Sequence, residues 1–396
     1  MIMNVIAIIF WICLFIVFYT YIGYGLVLWL LVKLKRATKG KPQTQKLPPD
    51  DLLPDITLLI CAYNEELVVD EKMENCRSLD YPKEKLRIMW VTDGSNDGTN
   101  DKLAAYPEVE VVFKPEREGK TAALNHGIKS VKTPLVAFTD ANTMLNSQAI
   151  REIARAFIDP KVGCVSGEKR VCARTEGETA AKGEGLYWKY ESTLKRWDSE
   201  LCSTMGAAGE LFAIRTHLYT EMPKDTLLDD FIMSMRLVDQ GYKIAYTPEA
   251  YAMEYGSANM EEEAKRKRRI CAGGLQSIAR LKPLLNPFRH ATATFQYISH
   301  RVLRWSITPF ALLALIPLNI ALVVAGRGCI YTAILVLQAI FYLASFCGWL
   351  LSRMGRKNKI FYVAYYFLFM NINVFRGISY LRKHKNNGAW EKAKRG

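Results

Sequence analysis

A long uncharged stretch at the start of the chain strongly limits what the sequence can fold into. No charged residue occurs between Ile2 and Val32. A helix that crosses a bilayer needs about 20 apolar residues, so this stretch can form one tilted helix or a helix with an interfacial turn. It is too long for the apolar core of a cleaved signal peptide, and no basic segment precedes it. The sequence therefore predicts an N-terminal membrane helix.

Three further apolar blocks lie near the carboxyl end. Trp305 to Ala325 and Ile330 to Leu351 contain no charged residue, whereas the shorter block Ile360 to Val374 carries Asn371 and Asn373. Three full crossings would place the basic C-terminal tail on the outer side. We therefore predict that the last block is re-entrant or interfacial.

The distribution of basic residues predicts the orientation. Lys and Arg cluster just after the first apolar stretch and again between the last two blocks, and such clusters face the cytosol. The region between the membrane segments is then cytosolic, in a multi-pass protein of the cell inner or plasma membrane. The formal net charge of +14 fits contact with anionic membrane lipids. Nucleic-acid binding is not expected, because no basic stripe is interleaved with aromatic residues.

The nine cysteines do not form a recognisable framework. None belongs to a CxxC pair, and they are scattered over apolar blocks and polar region alike. This pattern predicts reduced thiols with packing roles rather than disulfides or a zinc site.

Three segments of the middle region run from an apolar strand into acidic and small polar residues. They are Leu58 to Glu66, Ile88 to Thr99 and Leu135 to Thr143. In an open parallel α/β sheet the carboxyl ends of the strands form one edge, and ligands bind in the crevice outside it. We therefore expect the three segments to meet at one pocket.

The same region alternates between strand and helix patterns. Helices are expected between the strands, for example over Thr121 to Ser130. This alternation predicts an α/β domain with a doubly wound, mostly parallel sheet. The predicted strands are Ile56 to Cys61, Leu86 to Thr92, Val109 to Phe113, Leu135 to Thr139 and Val162 to Ser166.

The first two segments carry residues suited to a nucleoside. Ala62 and Tyr63 leave room for a flat base, and Asn64 and Glu65 can hydrogen bond its edge or a ribose. An ordinary helix start capped by Asn64 is the alternative. Asp93 emerges directly from a strand into a Gly-rich turn, where a plain surface turn is the alternative.

The next residues suit phosphate and metal. Gly119 and Lys120 precede a helix, so backbone amides and a cation can meet a phosphate there; a solvated lysine is the alternative. Asp140 and Asn142 offer two oxygen donors for Mg²⁺ or Mn²⁺ bridging to a diphosphate. Such triplets are also common in turns.

Two adjacent acids open a later helix. Asp229 and Asp230 follow Leu227 and Leu228 and precede a helical pattern. Acids at this position commonly stabilise the helix dipole. A carboxylate there can also accept a proton from a sugar hydroxyl.

Taken in order, these motifs resemble those of family-2 inverting glycosyltransferases of the GT-A fold. The resemblance covers roughly residues 54 to 280 and points to the membrane-integrated branch of cellulose, chitin, hyaluronan and poly-N-acetylglucosamine synthases. It implies transfer from a nucleotide-sugar, with UDP as the expected carrier, to a glycan hydroxyl. It also implies GT-A architecture in the cytosolic domain and a divalent cation, Mg²⁺ or Mn²⁺.

The resemblance implies a role for each motif. The general base would be Asp230 beside Asp229, and the acceptor would lie along Gly206, Ala207, Ala208 and Gly209. The donor would contact Ala62, Tyr63, Asn64, Glu65, Asp93, Lys120, Asp140, Arg266 and Arg269, and the metal would be held by Asp140 and Asn142.

Two positions depart from the pattern of the polymer synthases. The metal-binding DxD has become Asp140-Ala141-Asn142, which leaves a single carboxylate. The QxxRW signature appears as Arg266-Lys267-Arg268-Arg269-Ile270, so its arginine is kept as Arg269 but its tryptophan is lost. Membrane-surface attraction is the alternative for this basic cluster. The lost tryptophan favours a non-processive transferase with a lipid-linked acceptor over a polymer synthase.

Three functions remain open from the sequence. They are polysaccharide synthesis, single addition to a lipid-linked acceptor, and a catalytically silent subunit that binds nucleotide-sugar or glycan in an export complex; two retained aspartates, Asp140 and Asp230, argue against the last. The expected division is a membrane helix (1–36), a linker (37–54), the cytosolic domain (55–282), an interfacial amphipathic segment (283–304), membrane helices (305–380) and a basic tail (381–396).

Overall fold

An eight-stranded mixed sheet forms the centre of the fold, in the order β3-β2-β1-β4-β7-β6-β8-β5. The structure, a computed structural model, describes residues 1–42, 45–172, 179–256, 259–356 and 358–383, and side chains throughout these ranges except 179–187. The strands are β1 Ile56–Ala62, β2 Leu86–Asp93, β3 Val109–Lys114, β4 Leu135–Asp140, β5 Met144–Leu145, β6 Val162–Cys172, β7 Leu211–Arg215 and β8 Lys243–Tyr255.

Strand β1 lies in the middle of the parallel part of the sheet. It pairs in parallel with β2 on one side and with β4 on the other, and six of its seven residues are buried. Because both faces are covered, the strand reads as a continuous apolar run. The carboxyl ends of β1, β2 and β4 therefore lie at one edge, which confirms the predicted α/β sheet and its five predicted strands.

Three strands were not predicted from the sequence. They are β7, which runs antiparallel between β4 and β6, and β8 and β5 at the far edge. Strand β6 also runs on to Cys172 beyond the predicted Ser166. These strands make the sheet mixed rather than purely parallel.

Helices cover both faces of the sheet and continue into the apolar segments. The predicted helix Thr121 to Ser130 ends earlier, at Gly127, and a 3-10 turn follows. The helices are α1 Ile2–Phe18, α2 Tyr24–Lys39, α3 Val69–Arg77, α4 Thr99–Leu103, α5 Lys120–Gly127, α6 Ala149–Ala156, α7 Thr179–Leu201, α8 Asp229–Asp239, α9 Met260–Arg280, α10 Pro287–Tyr297, α11 Leu303–Trp305, α12 Ile307–Val324, α13 Cys329–Arg353 and α14 Lys359–Lys383.

Within the described ranges, three helical segments are long and apolar enough to cross a membrane. They are Ile2–Lys39, Ile307–Val324 and Cys329–Arg353. The first consists of α1 and α2 joined by a π-helical turn, Tyr19–Gly23. Large apolar side chains such as Phe15 and Leu343 point outward from these helices, as expected for surfaces that contact lipid.

The last apolar block is one continuous helix, α14, so the predicted re-entrant turn is wrong. This helix packs along α9 of the sheet domain, where its Tyr366 hydroxyl donates to a carboxylate oxygen of Glu263 at 3.2 Å. The two helices approach closely: a Cβ added to Gly377 would lie 2.8 Å from the Cβ of Cys271. An interfacial position for α14 stays a prediction.

The segment before α12 is a series of short helices. A 3-10 turn at Lys282–Leu285, α10, a π turn at Ile298–Val302 and α11 follow one another. Phe288 is 98% exposed whereas Tyr297 is fully buried. One part of the segment is thus packed into the fold while Phe288 points away from it.

All nine cysteines are free.

Candidate active site

A lysine and two aspartates meet at the carboxyl edge of the sheet. Lys120 begins α5 behind Gly119, and its ammonium lies 2.5 Å from Asp140 Oδ1 at the end of β4. The same ammonium is 4.0 Å from Asp229 Oδ2 at the start of α8. Partial burial opposes the charge on Lys120, but the two carboxylates outweigh it and raise the pKa of the lysine. The alternative of a solvated lysine is therefore wrong.

Asp230 lies next to this group, in the first turn of α8. Removal from water and the neighbouring Asp229 raise the pKa of Asp230 to about 7. A Cβ added to Gly209 would lie 3.0 Å from Asp230 Oδ2, so the absence of a side chain at this glycine leaves space for the carboxylate. A carboxylate with a pKa near neutrality is suited to accept a proton.

These residues line a cavity of about 540 Å³ that reaches from the sheet edge to the apolar helices. Its sheet end contains Lys120, Asp140, Asp229 and Asp230. Its wall is largely basic and aromatic, and its far end is formed by α14 and by the π turn before α2. Wall and far-end residues include Trp188, Lys195, Arg266, Arg269, Ile270, Arg301, Arg304, Trp305, Tyr21, Phe367 and Asn371.

A hydrogen bond joins two elements at the far end of the cavity. The Tyr21 hydroxyl, in the π turn, donates to Asn371 Oδ1 of α14 at 2.8 Å. The cavity thus borders both the carboxyl edge of the sheet and the helices that carry the apolar surface.

The loops after β1 and β2 form a second group beside the cavity. Asn64 has a positive φ of 51°, and its side chain donates to Asn96 Oδ1 at 2.8 Å while its own Oδ1 accepts from the Asn96 amide at 3.0 Å. Asn64 therefore does not cap a helix, because the next α-helix begins at Val69. The guanidinium of Arg117 lies 3.8 Å from the centre of the Tyr63 ring. Together the guanidinium and the ring offer a flat surface of the kind that stacks with a base.

Asp93 connects the two groups. Its carboxylate oxygens accept from the backbone amides of Glu118 and Gly119, at 3.0 and 2.6 Å. Because Gly119 immediately precedes Lys120, Asp93 fixes the loop that presents the lysine. The alternative of a plain surface turn does not fit, since Asp93 is 5% exposed.

The structure places most of the predicted site residues in one cavity, but not all of them. Ala207, Ala208, Gly209, Arg266 and Arg269 are in its lining. The predicted residues outside the lining are Ala62, Tyr63, Asn64, Glu65, Asp93, Asn142 and Gly206. Their roles stay predictions.

Two of these positions have a visible structural task. Gly206 has a φ of +94°, and a Cβ there would lie 2.2 Å from the ring of Phe231, so the glycine allows the turn before Ala207. Arg266 hydrogen bonds Glu263 through Nε at 2.9 Å and is 7% exposed. It is therefore part of an ion pair within the fold, and simple attraction to a membrane surface does not account for it.

The donor set fits a divalent cation that takes most of its ligands from elsewhere. Asp140 supplies a carboxylate and Asn142 an amide oxygen after β4. Among the residues the structure describes, no three His, Cys, Asp or Glu side chains gather as a metal cluster. Mg²⁺ and Mn²⁺ at nucleotide sites commonly use one or two carboxylates, waters and substrate phosphates. The ammonium of Lys120 already shows that Asp140 binds positive charge.

Several residues of the cavity wall were missed by the sequence reasoning. Trp188, Glu191 and Lys195 line it from α7. Their spacing of three and four residues puts them on one helix face, and that periodicity was the available signal. Trp305 also lines the cavity, although the sequence assigned it to a membrane block.

Similarity to known proteins agrees with this architecture. The mannosyltransferase PcManGT from Pyrobaculum calidifontis, solved in complex with GDP-Man and Mn²⁺, superposes with a TM-score of 0.70 at 22% identity, over 94% of this chain and 98% of that one. At this identity the likeness establishes the fold, a mostly parallel α/β sheet of the GT-A type.

Curated relatives match part of the chain. The probable glycosyltransferase YdaM of Bacillus subtilis (strain 168) is 28% identical over 215 residues, which is 51% of this chain and 51% of that protein. The poly-beta-1,6-N-acetyl-D-glucosamine synthase of Staphylococcus aureus (strain COL) is 27% identical over 238 residues, 58% and 57% of the two chains. The chain thus spans about half the length of the curated relatives it matches.

The sequence profile of one family covers the sheet domain. The family described as "Glycosyltransferase like family 2" matches residues 54–273, more than half of the 396 residues. That range contains β1 to β8 and the sheet end of the cavity with Lys120, Asp140, Asp229 and Asp230. The chain belongs to glycosyltransferase family 2.

Proposed function

We propose that this protein transfers a sugar from a nucleotide-sugar, with UDP as the carrier, to a glycan hydroxyl and forms a β-glycosidic bond with inversion. The observation that carries the proposal is that Asp230 lies beside the Lys120–Asp140 ion pair in one cavity. A proton acceptor and a site for anionic phosphates are thereby brought together.

Asp230 is the proposed general base. With a pKa raised to about 7, its carboxylate can take the proton from an acceptor hydroxyl, which attacks the anomeric carbon from the face opposite the leaving group. Gly209 leaves the space in which that hydroxyl approaches. A single displacement needs no second nucleophile, and the product has the opposite anomeric configuration.

Positive charge along the cavity binds the leaving nucleoside diphosphate. Lys120, Arg266 and Arg269 supply it from the protein, and Asp140 and Asn142 would hold Mg²⁺ or Mn²⁺. When bound, the ion neutralises charge on the diphosphate. Tyr63 with Arg117, and the loop of Asn64, form the proposed surface for base and ribose.

The proposed product is a polysaccharide. The relative from Staphylococcus aureus is named as a polymer synthase, and the cavity here continues from Asp230 to the apolar helices, which gives a growing chain a path. Addition to a lipid-linked acceptor is the second candidate, favoured by the apolar end of the cavity at Phe367 and Val374.

We also propose a multi-pass arrangement in the inner or plasma membrane, with the sheet domain in the cytosol. The basic residues that follow the first apolar segment support this arrangement. In the sheet domain, the backbone carbonyl of Glu200 accepts a hydrogen bond from Lys35, and the side-chain carboxylate of Glu200 accepts one from Arg36. The end of α2 and the catalytic domain therefore lie on the same side.

The test is Asp230→Asn in the full-length protein, assayed in membranes with a panel of UDP-sugars. We expect nucleotide-sugar binding to be kept and turnover to fall by about 10³-fold, since the amide cannot accept the proton. Asp239→Asn at the other end of α8 is the matched control. Turnover of Asp230→Asn within a factor of a few of the parent would overturn the assignment, and product size separates polymer from single addition.

A further inference from the structure

A buried lysine of α7 faces the cavity without a bonded partner. Lys195 is 5% exposed and lines the cavity wall. Its ammonium has no hydrogen bond and no carboxylate within 4.0 Å in the part of the chain that the structure describes. Because Lys195 lines the cavity, its ammonium takes its hydrogen bonds from whatever fills the cavity, which is water or a bound ligand.

Two aromatic rings flank this ammonium. It lies 5.7 Å from the ring centre of Trp188, two helix turns earlier on the same face of α7, and 5.9 Å from that of Tyr246 on β8. Trp188 also lines the cavity. Burial lowers the pKa of Lys195 although Glu191 nearby opposes this, which agrees with incomplete compensation of its charge by the protein.

The other charged groups of this wall are already engaged. Glu191 accepts from Arg304 at 3.0 Å and pairs with Arg301 at 2.8 Å. Glu210, next to Gly209, pairs with Lys169 at 2.5 Å. The fold thus neutralises each carboxylate of the wall with a cation and leaves the ammonium of Lys195 to the cavity.

We propose that Lys195 and Trp188 form an acceptor subsite that binds a neutral sugar ring of the glycan, with the indole against the ring and the ammonium donating to a hydroxyl or acetamido oxygen. The subsite rests on the proposed function of the cavity. An aromatic surface beside a polar donor matches the apolar and polar faces of a sugar.

The experiment measures oligosaccharide binding directly. Full-length protein in detergent is titrated calorimetrically with a panel of β-linked pentasaccharides of glucose, N-acetylglucosamine and mannose, and separately with UDP-N-acetylglucosamine and GDP-mannose. Lys195→Met is expected to weaken binding of the preferred pentasaccharide at least tenfold and leave nucleotide-sugar binding unchanged. Lys189→Met, on an exposed position of the same helix, is expected to change neither.

A second pair of variants tests the ring. Trp188→Leu should weaken the pentasaccharide at least fivefold, whereas Trp188→Phe should keep binding within about twofold, and this pair decides the matter if Lys195→Met does not fold. In a transfer assay the acceptor KM of Lys195→Met should rise while the donor KM stays constant.

Three results would overturn the subsite. The first is that the wild-type protein binds none of the pentasaccharides. The second is that Lys195→Met and Trp188→Leu bind the pentasaccharide as tightly as the wild-type protein does. The third is that these variants weaken the binding of nucleotide-sugar instead. Failure of the proposed function is distinguishable: the wild-type protein would then transfer no sugar, while the binding titrations would still report on Lys195 and Trp188.

Discussion

Gly209 lies directly against Asp230, and a Cβ on the glycine would come within 3.0 Å of Asp230 Oδ2. This distance is shorter than ordinary contacts between carbon and oxygen atoms, so even a methyl group would force the carboxylate to shift by a few tenths of an ångström. The backbone of Gly209 has no positive φ. An alanine there is therefore compatible with the chain conformation, and its effect is confined to the carboxylate.

We expect Gly209→Ala to lower kcat by about tenfold through displacement of Asp230, because reaction rates are sensitive to small misplacements of the reacting groups. Donor KM should change little. Gly256→Ala, where a Cβ would make only an ordinary contact of 3.6 Å with Val171, is the control. An unchanged kcat in Gly209→Ala, measured at saturating donor, would contradict the placement of the base.

The pH dependence of turnover follows from the pair Asp229 and Asp230. The base must be ionised to accept a proton, and its pKa is raised to about 7, so kcat should rise with pH up to and just beyond 7. Because Asp229 contributes to this increase, Asp229→Asn should lower the pKa of Asp230 and move the acid limb to lower pH. The check is a pH profile of kcat for both proteins. A limb that stays in place or moves to higher pH would refute the coupling.

In the proposed metal site, Asn142 supplies an amide oxygen that carries no full negative charge. Asn142→Asp adds a second carboxylate two residues after Asp140, so we expect the Mn²⁺ concentration for half-maximal rate to fall about tenfold. Asp140→Asn should act in the opposite direction. Chelation with EDTA should abolish activity in the parent protein. Metal titrations of the rate and of Mn²⁺ binding by electron paramagnetic resonance provide the measurement, and equal titrations for the two variants would argue against this metal site.

A buried histidine lies where the sheet domain meets the first apolar segment. His300 Nδ1 lies 2.6 Å from Asp198 Oδ2, its Nε2 lies 3.2 Å from Glu191 Oε1, and the Tyr24 hydroxyl of α2 also donates to Asp198. His300→Leu should lower the free energy of unfolding by about 3 kcal/mol, because two buried carboxylates lose a partner. Thermal denaturation in detergent measures it, with His126→Leu at an exposed position as control. Equal stability of the two variants would contradict this role.

The sequence predicted the parts of the fold that local patterns determine. Strands β1 and β4 are continuous apolar runs because both faces of the sheet are covered, and the acidic and polar residues at the strand ends predicted that the loops after β1, β2 and β4 lie at one edge of the sheet. Strand β8 was missed because it contains Pro248 and polar residues, and its pairing with β6 over nine positions and with β5 over two keeps it extended.

The remainder of the candidate site depends on contacts distant in sequence. Trp305 looked like part of a membrane block, but Gly274 of α9 lets its ring approach so closely that a Cβ there would lie 2.4 Å from Trp305 Cδ2. Nothing in the sequence distinguishes Lys195 from the other lysines, and its place in the cavity lining depends on the packing of α7. Neither placement has a local sequence signal, since each depends on how two helices pack.

The tight packing around α9 has a mechanical consequence. On one side, a Cβ at Gly377 of α14 would lie 2.8 Å from Cys271; on the other, a Cβ at Gly273 would lie 2.5 Å from Leu228. Leu228 immediately precedes Asp229. Because α9 is closely packed on both sides, a sideways displacement of α14 would press through α9 on Leu228 and so on the residues that lead into Asp229 and Asp230.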